Sequence, residues 1–100
     1  MNLNQLRGFY TVLKTGSFSR AAEELCVTEP AVFIQVRSLE RHLGFTLLDK
    51  VGNELHPTAA GRILYEYGEK IFTLVDEAVN AVQGLQDLKH GHLRVGVTQA

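Results

Sequence analysis

The chain has 100 residues, enough for one small domain with an extension but too few for two full cores. Hydrophobic residues make up 45% of it and charged residues 21%, as in an ordinary globular protein, and no stretch approaches the roughly 18 uncharged apolar residues of a membrane span. The N-terminal residues MNLNQLRGFY lack the order of a signal peptide, so we expect a cytoplasmic protein without a membrane partner.

Charge does not by itself indicate a nucleic-acid partner. Proteins that neutralise phosphates usually carry a basic excess. Residues 1–57 contain six basic side chains (Arg7, Lys14, Arg20, Arg37, Arg41, Lys50) and six acidic ones (Glu23, Glu24, Glu29, Glu40, Asp49, Glu54), which cancel. Any DNA-binding interpretation must therefore depend on the local arrangement of residues.

The sequence gives no sign of catalysis or of a cofactor. Ser17 and Ser19 have no histidine at a recognisable spacing, and no glycine-rich phosphate loop is present. The histidines lack metal-ligand spacing; His90 and His92 could share a metal, but a solvated hinge is the simpler reading. We expect no enzyme, no metal and no cofactor. Cys26 is expected to be a small core residue at the end of a helix.

Three helices are predicted in the first half of the chain. Apolar residues at helical spacing indicate a first helix at about 3–15, which Gly16 ends. Ser17 can cap a short second helix, with Ala21, Ala22 and Leu25 on its inner face. Thr28 can cap a third helix that has Pro30 in its first turn and runs to about Leu43, before Gly44.

The third helix has two distinct faces. Val32, Val36, Leu39 and Leu43 follow one another at spacings of 4, 3 and 4, which predicts one buried stripe. The opposite side presents the residues Glu29, Pro30, Phe33, Ile34, Arg37 and Arg41.

A small hairpin is predicted next. An extended piece around 46–50 leads to the turn residues Gly52 and Asn53 and to a return strand at 54–56, which Pro57 closes. We therefore assign residues 1–57 to one domain.

Residues 58–89 form the most regular segment. Thr58 can cap a helix whose apolar residues alternate spacings of 4 and 3: Ala60, Leu64, Tyr67, Ile71, Leu74, Ala78, Ala81, Leu85 and Leu88. We interpret the seam as a dimerisation surface formed by Leu64, Tyr67, Ile71, Leu74, Ala78 and Leu85; the alternative is packing against the chain's own N-terminal domain. In residues 90–100, Gly91 breaks the helix, and Leu93, Val95 and Val97 alternate as in a strand, which we expect to be poorly ordered or paired with a second copy.

Two short helices joined tightly, the second with a polar cap, are typical of a helix-turn-helix, whose second helix fits the major groove of DNA. The stretches LRGFYTVLKTGSFSRAAEELCVTEPAV, QVRSLERHLGFTLLDK and PTAAG make residues 1–88 resemble the N-terminal region of LysR-type transcriptional regulators. The closing HLRVGV is similar to the first strand of that family's effector-binding domain.

The resemblance implies a mainly α-helical fold: a winged helix-turn-helix of three helices and a two-stranded wing, followed by a long dimerisation helix. It implies a sequence-specific regulator that binds double-stranded DNA as a homodimer, forms higher oligomers as a full-length protein, and binds a small-molecule effector only in a domain outside this chain. The DNA contacts it implies are Thr28, Glu29, Pro30, Phe33, Ile34 and Arg37 from the third helix, with Lys50 and Asn53 from the wing.

Three of these positions depart from the family pattern. Glu29, Phe33 and Ile34 stand where the family often has Gln, Ser and Arg. Glu29 could accept from a cytosine amino group or simply favour the helix start, and Phe33 and Ile34 could contact thymine methyls or be covered by a neighbouring element. Arg37 could contact phosphate or pair with Glu40. A second hypothesis is an interaction module in which the long helix is the working part.

Overall fold

The structure is a computed structural model that describes residues 1–89. It contains α1 (Leu3–Thr15), α2 (Phe18–Leu25), α3 (Glu29–Leu43), β1 (Leu48–Val51), β2 (Glu54–Pro57) and α4 (Ala59–Lys89). This order confirms the predicted fold of three helices, a two-stranded wing and a long helix. The tail predicted for residues 90–100 lies outside the described residues.

Capping residues set the helix limits at the predicted places. Ser17 Oγ accepts from the Arg20 N–H at 3.0 Å, and Thr28 Oγ1 accepts from the Ala31 N–H at 3.3 Å. Gly16 closes α1 with a φ of 87°, in the left-handed region that favours glycine. Because each cap satisfies backbone groups that the helix cannot pair, local sequence determines where these helices begin and end.

The expectation for Cys26 is wrong. Cys26 is exposed and closes α2 with a φ of 58° and a ψ of 41°, the left-handed conformation at a residue other than glycine. Its N–H donates to the carbonyls of Ala22 and Glu23. The residue is therefore the C-cap of α2 in the turn that leads to α3, and its side chain is exposed.

The core lies where α1, α2 and α3 meet the start of the wing. Its most deeply buried apolar side chains are Leu6, Phe9, Val12, Ala21, Val32, Val36, Leu39 and Leu47. The predicted stripe of α3 is thus confirmed for three residues, but Leu43 is 38% exposed and Glu40 is buried. The last turn of α3 lies against the backbone at the start of the wing, whose N–H groups need an acceptor, so a carboxylate is buried there.

The wing is an antiparallel pair in which Leu48 lies opposite Pro57 and Val51 opposite Glu54, joined at Gly52 and Asn53. It begins two residues later than the predicted start at 46. Thr46 and Leu47 instead bond to the start of α4: Thr58 Oγ1 donates to the Thr46 carbonyl at 2.6 Å, and the Thr58 N–H donates to the Leu47 carbonyl at 3.0 Å.

Two glycines of α4 allow close packing. A Cβ on Gly61 would lie 2.0 Å from the Leu47 carbonyl oxygen, and one on Gly68 would lie 3.2 Å from Tyr10 Cδ1. Glycine is a poor helix former, by about 1 kcal/mol relative to alanine. At Gly61, however, no other residue fits without moving the backbone.

The chain divides into two compact units, Met1–Glu69 and a second that begins at Lys70, so the first contains the beginning of α4. Along the predicted seam, Tyr67, Leu74, Ala78 and Leu85 are exposed in the single chain, whereas Leu64 and Ile71 are half-buried. Within residues 1–89, none of the helices combines the length and apolar character that a membrane span requires.

We predict that Gly61→Ala lowers the free energy of unfolding by about 3 kcal/mol, because the methyl group collides with the Leu47 carbonyl and the backbone must shift. Gly84→Ala is the matched control: among the described residues, no atom outside the adjoining helix backbone lies within 4 Å of its Cβ position, so helix propensity should raise stability by about 1 kcal/mol. Urea unfolding at one protein concentration compares them. Equal effects of the two substitutions would contradict the prediction.

Candidate nucleic-acid interface

A groove with a volume of about 940 Å³ runs between the start of α2, the exposed face of α3 and the wing. It collects seven of the eight residues predicted to contact DNA: Glu29, Pro30, Phe33, Ile34 and Arg37 from α3, and Lys50 and Asn53 from the wing. It also includes Ser17, Phe18, Ser19 and Asp49, which the sequence analysis did not select.

Thr28, the eighth residue, does not line this groove. Its hydroxyl oxygen accepts from the Ala31 N–H, and its carbonyl accepts from the Val32 N–H at 3.2 Å. Thr28 therefore fixes the start of α3, and with it the position of the side chains that follow.

Phe33 is partly covered by α2, whereas Ile34 is open. The Phe33 ring lies 5.6 Å from the Phe18 ring at an interplanar angle of 54°, a tilted aromatic pair. Ile34 is 62% exposed and Phe33 is 45% exposed. Phe18 could have been found from its spacing, since residues 18, 22 and 25 fall on one face of a short helix.

Glu40 binds both Arg37 and the start of the wing. Arg37 Nη1 donates to Glu40 Oε1 at 2.8 Å, and the other carboxylate oxygen accepts from the Leu47 N–H at 2.8 Å and the Leu48 N–H at 3.4 Å. The Arg37 guanidinium also lies over the Phe33 ring, 5.0 Å from its centroid. Of the two alternatives for Arg37, the structure shows the pairing with Glu40, and the arginine side chain remains 55% exposed.

The groove carries nearly balanced charge. Its cations are Arg37 and Lys50, and its carboxylates are Glu29, Glu40 and Asp49. Glu29 is in the first turn of α3, where the helix dipole favours a negative charge. The candidate interface thus has one more carboxylate than it has cations, together with the apolar side chains of Phe33 and Ile34 and an exposed lysine on the wing.

Lys14 belongs to a separate cluster. Its ammonium group donates to the Glu24 carboxylate at 2.7 Å, which raises the pKa of Lys14, and it lies 5.9 Å from the Tyr10 ring centroid. Tyr10 stacks on Tyr65 with ring centroids 4.9 Å apart, and burial raises the pKa of Tyr65. These contacts join α1 to α2 and to the beginning of α4, and none of the four residues lines the groove.

Metal-binding clusters are absent from the described part of the chain, residues 1–89: no three His, Cys, Asp or Glu side chains come together there.

Comparison with protein families decides the classification. Residues 3–62 match the family described as "Bacterial regulatory helix-turn-helix protein, lysR family". The chain belongs to this family. It is 45% identical over 97 residues to a probable RuBisCO transcriptional regulator of Synechocystis sp. and 39% identical to one of Thalassiosira pseudonana. Those alignments cover 97% of this chain but only 28% and 32% of the relatives, so this LysR-family chain spans about a third of their length or less.

Solved structures of the family share the fold. The DNA-binding domain of BenM, in a complex with catB site 1 DNA, is 32% identical with a TM-score of 0.79, over 86% of this chain and 97% of that one. CbnR, a LysR family transcriptional regulator, is 30% identical with a TM-score of 0.74, over 83% of this chain and 29% of its own. These likenesses agree with the winged helix-turn-helix predicted from the sequence.

Proposed function

We propose that the chain is the DNA-binding part of a transcription regulator that recognises operator DNA with α3 in the major groove and the wing beside it. The observation that carries the proposal is the groove, which gathers the exposed face of α3 and the tip of the wing on one surface. Family membership and the likeness to BenM, whose domain was solved on DNA, support it.

The proposed contacts follow from this placement. A helix in the major groove uses its N-terminal side chains on base edges, which assigns Glu29, Pro30, Phe33 and Ile34 to bases. Arg37 lies on the same surface of α3, about one helical turn after Phe33 and Ile34. Lys50 and Asn53 would contact the sugar–phosphate backbone of the DNA beside the major groove. Thr28 would act indirectly, by fixing the start of α3.

We propose a homodimer through α4. Its 31 residues extend about 45 Å, at roughly 1.5 Å per residue. Tyr67, Leu74, Ala78 and Leu85 leave an exposed apolar stripe that a second α4 would cover, with Leu64 and Ile71 at its inner edge.

The proposed organisation is a DNA-binding domain at 1–57, a dimerisation helix at 58–89 and a hinge with the first strand of an effector-binding domain at 90–100. Higher oligomers and a small-molecule effector belong to the full-length protein. We place the protein in the cytoplasm, and propose regulation rather than catalysis as its activity.

A salt titration of DNA binding tests the proposal. The sequence suggests three phosphate-binding cations per protomer, Arg37, Arg41 and Lys50, which predict a log–log slope of about −5 for a dimer. In the structure, however, Arg37 is paired with Glu40. With Arg41 and Lys50 remaining, a dimer should show a slope of about −4 on a duplex selected from random sequences. Ile34→Arg should steepen it by about one per protomer. If the chain selects no duplex, or if its affinity for DNA does not depend on salt, the interaction-module hypothesis is favoured. A slope of about −10 would show that the protein makes more phosphate contacts than those named here.

Glu29→Gln should change the selected sequence. Glu29 can accept from a cytosine amino group, whereas a glutamine pairs with adenine, so cytosine should give way to adenine at one position. Affinity should also rise, because a carboxylate beside phosphates is removed. Selection from random duplexes measures both effects, with Glu23→Gln, outside the groove, as the charge-matched control. An unchanged sequence and affinity would mean that residue 29 only stabilises the helix start.

Leu74→Asp should yield monomers or aggregates, because it places a charge in the middle of the stripe that the partner helix would cover. Thr73→Asp adds the same charge one residue off the seam, at another exposed position, and should leave the dimer intact. Sedimentation of both variants measures the oligomeric state, and an unchanged dimer for Leu74→Asp would disprove the proposed interface.

A further inference from the structure

Arg37 is held on two sides. One edge of its guanidinium is bound to Glu40 at 2.8 Å, and one face lies over the Phe33 ring, which is itself supported by Phe18. An arginine side chain normally loses rotamer freedom on binding a ligand. Here the structure restricts that freedom before any ligand is present, while more than half of the side chain remains accessible.

The support beneath Arg37 is rigid. The Glu40 side chain is only 9% exposed, and its second oxygen is fixed by the backbone N–H groups of Leu47 and Leu48. The carboxylate therefore uses one oxygen to hold the start of the wing and the other to orient the arginine. Its position is set by the fold rather than by side-chain mobility.

Arg37 has a distinctive place among the groove residues. Of the described α3 residues that line the groove (Glu29, Pro30, Phe33, Ile34, Val36, Arg37 and Glu40), it alone has a side chain that donates hydrogen bonds. Residues 30, 33, 34 and 37 follow the helical spacing of one face. Within the groove, acceptors on base edges can therefore be bound by an α3 side chain only through Arg37.

The charge balance favours a base edge over a phosphate. A guanidinium 2.8 Å from a buried carboxylate is largely neutralised, so it gains less from the charge of a phosphate. Glu40 takes an N–H of Nη1, and the Nε–H and Nη2–H donors still form a planar fork. Guanine presents two acceptors, O6 and N7, that match such a fork in the major groove.

We infer that Glu40 is a positioning residue that presents Arg37 for bidentate recognition of a guanine in each operator half-site. The inference rests on the proposed DNA-binding function. Arg37 is then a specificity-determining residue, which reads the guanine that the apolar side chains of Phe33 and Ile34 cannot bind. Phe33 acts as the surface on which the guanidinium rests.

The experiment begins with a duplex selected from random sequences by the wild-type chain, and a scrambled duplex as reference. The selected duplex should contain a guanine in each half-site whose replacement by 7-deazaguanine, which lacks the N7 acceptor, weakens wild-type binding about tenfold. Arg37→Ala should bind the guanine and 7-deazaguanine duplexes equally. Arg37→Lys keeps the charge without the fork and should lose most of the discrimination.

Glu40→Gln separates positioning from folding. Its amide oxygen can still accept from the Leu47 N–H, while the charge that anchors Arg37 is lost. The expected result is a fall of about fivefold to tenfold in discrimination between guanine and 7-deazaguanine, with equal or tighter binding to the scrambled duplex. In an Arg37→Ala background, Glu40→Gln should change discrimination no further.

Arg41→Gln is the matched control on the same helix. Arg41 Nη2 lies 3.4 Å from Ser38 Oγ, apart from the Glu40 pair. This substitution should flatten the salt dependence by about one unit per protomer and leave the guanine preference intact.

Two results for Glu40→Gln, measured on the guanine and 7-deazaguanine duplexes, would overturn the inference. If Glu40→Gln weakens binding to both duplexes equally, Glu40 has only a structural role; if it strengthens both equally, Glu40 restrains Arg37 rather than presenting it. Should Glu40→Gln not fold, full discrimination by Arg37→Lys or Arg37→Ala would be decisive against the inference. A wild-type chain that selects no duplex overturns the DNA-binding function itself, and the inference with it.

Discussion

The backbone of Leu47 is the point at which the elements that form the interface are joined. Its N–H is bound by the buried Glu40 of α3, and its carbonyl accepts from the N–H of Thr58, which precedes α4. Gly61 approaches the same carbonyl so closely that a side chain cannot be placed there. Since buried backbone groups must be paired, these bonds determine how the wing leaves α3 and how α4 begins. The bonds from Glu40 to Leu47 and Leu48 attach the start of the wing to α3, and these two elements form two sides of the groove.

Arrangement, rather than net charge, would give the chain the capacity to bind DNA that we propose for it. Acidic and basic side chains cancel over residues 1–57, and within the groove Glu40 balances Arg37. Such an interface gains less from counterion release than a basic one and must derive more of its selectivity from shape, methyl contacts and oriented hydrogen bonds. The open side chain of Ile34 and the tilted pair of Phe18 and Phe33 supply apolar surface of this kind.

The first part of α4 packs closely against the rest of its own compact unit and also carries part of the proposed dimerisation seam. Gly61 and Gly68 lie where the helix comes close to Leu47 and Tyr10, and both positions are buried. Tyr67, between them in sequence, is 58% exposed and continues the seam assigned to dimerisation. A helix with 3.6 residues per turn can present the packed glycine face and the exposed seam at the same time. The glycines lower the intrinsic stability of the helix but allow it to pack closely.

The sequence by itself determined the local structure: the caps Ser17 and Thr28 and the stops Gly16 and Gly44 are signals that neighbouring residues satisfy among themselves, and the apolar spacing of residues 58–89 predicts one long helix. It also selected seven residues, predicted to contact DNA, that the fold brings to one groove, since helix periodicity shows which side chains share a face. Only the tertiary structure decided that the Cys26 side chain is exposed, that Glu40 rather than Leu43 is buried near the end of α3, and that the Phe18 ring packs against the Phe33 ring. The buried Glu40 and the Phe18–Phe33 pair depend on groups from separate elements, because a buried carboxylate or a ring contact is favourable only when its distant partner is in place.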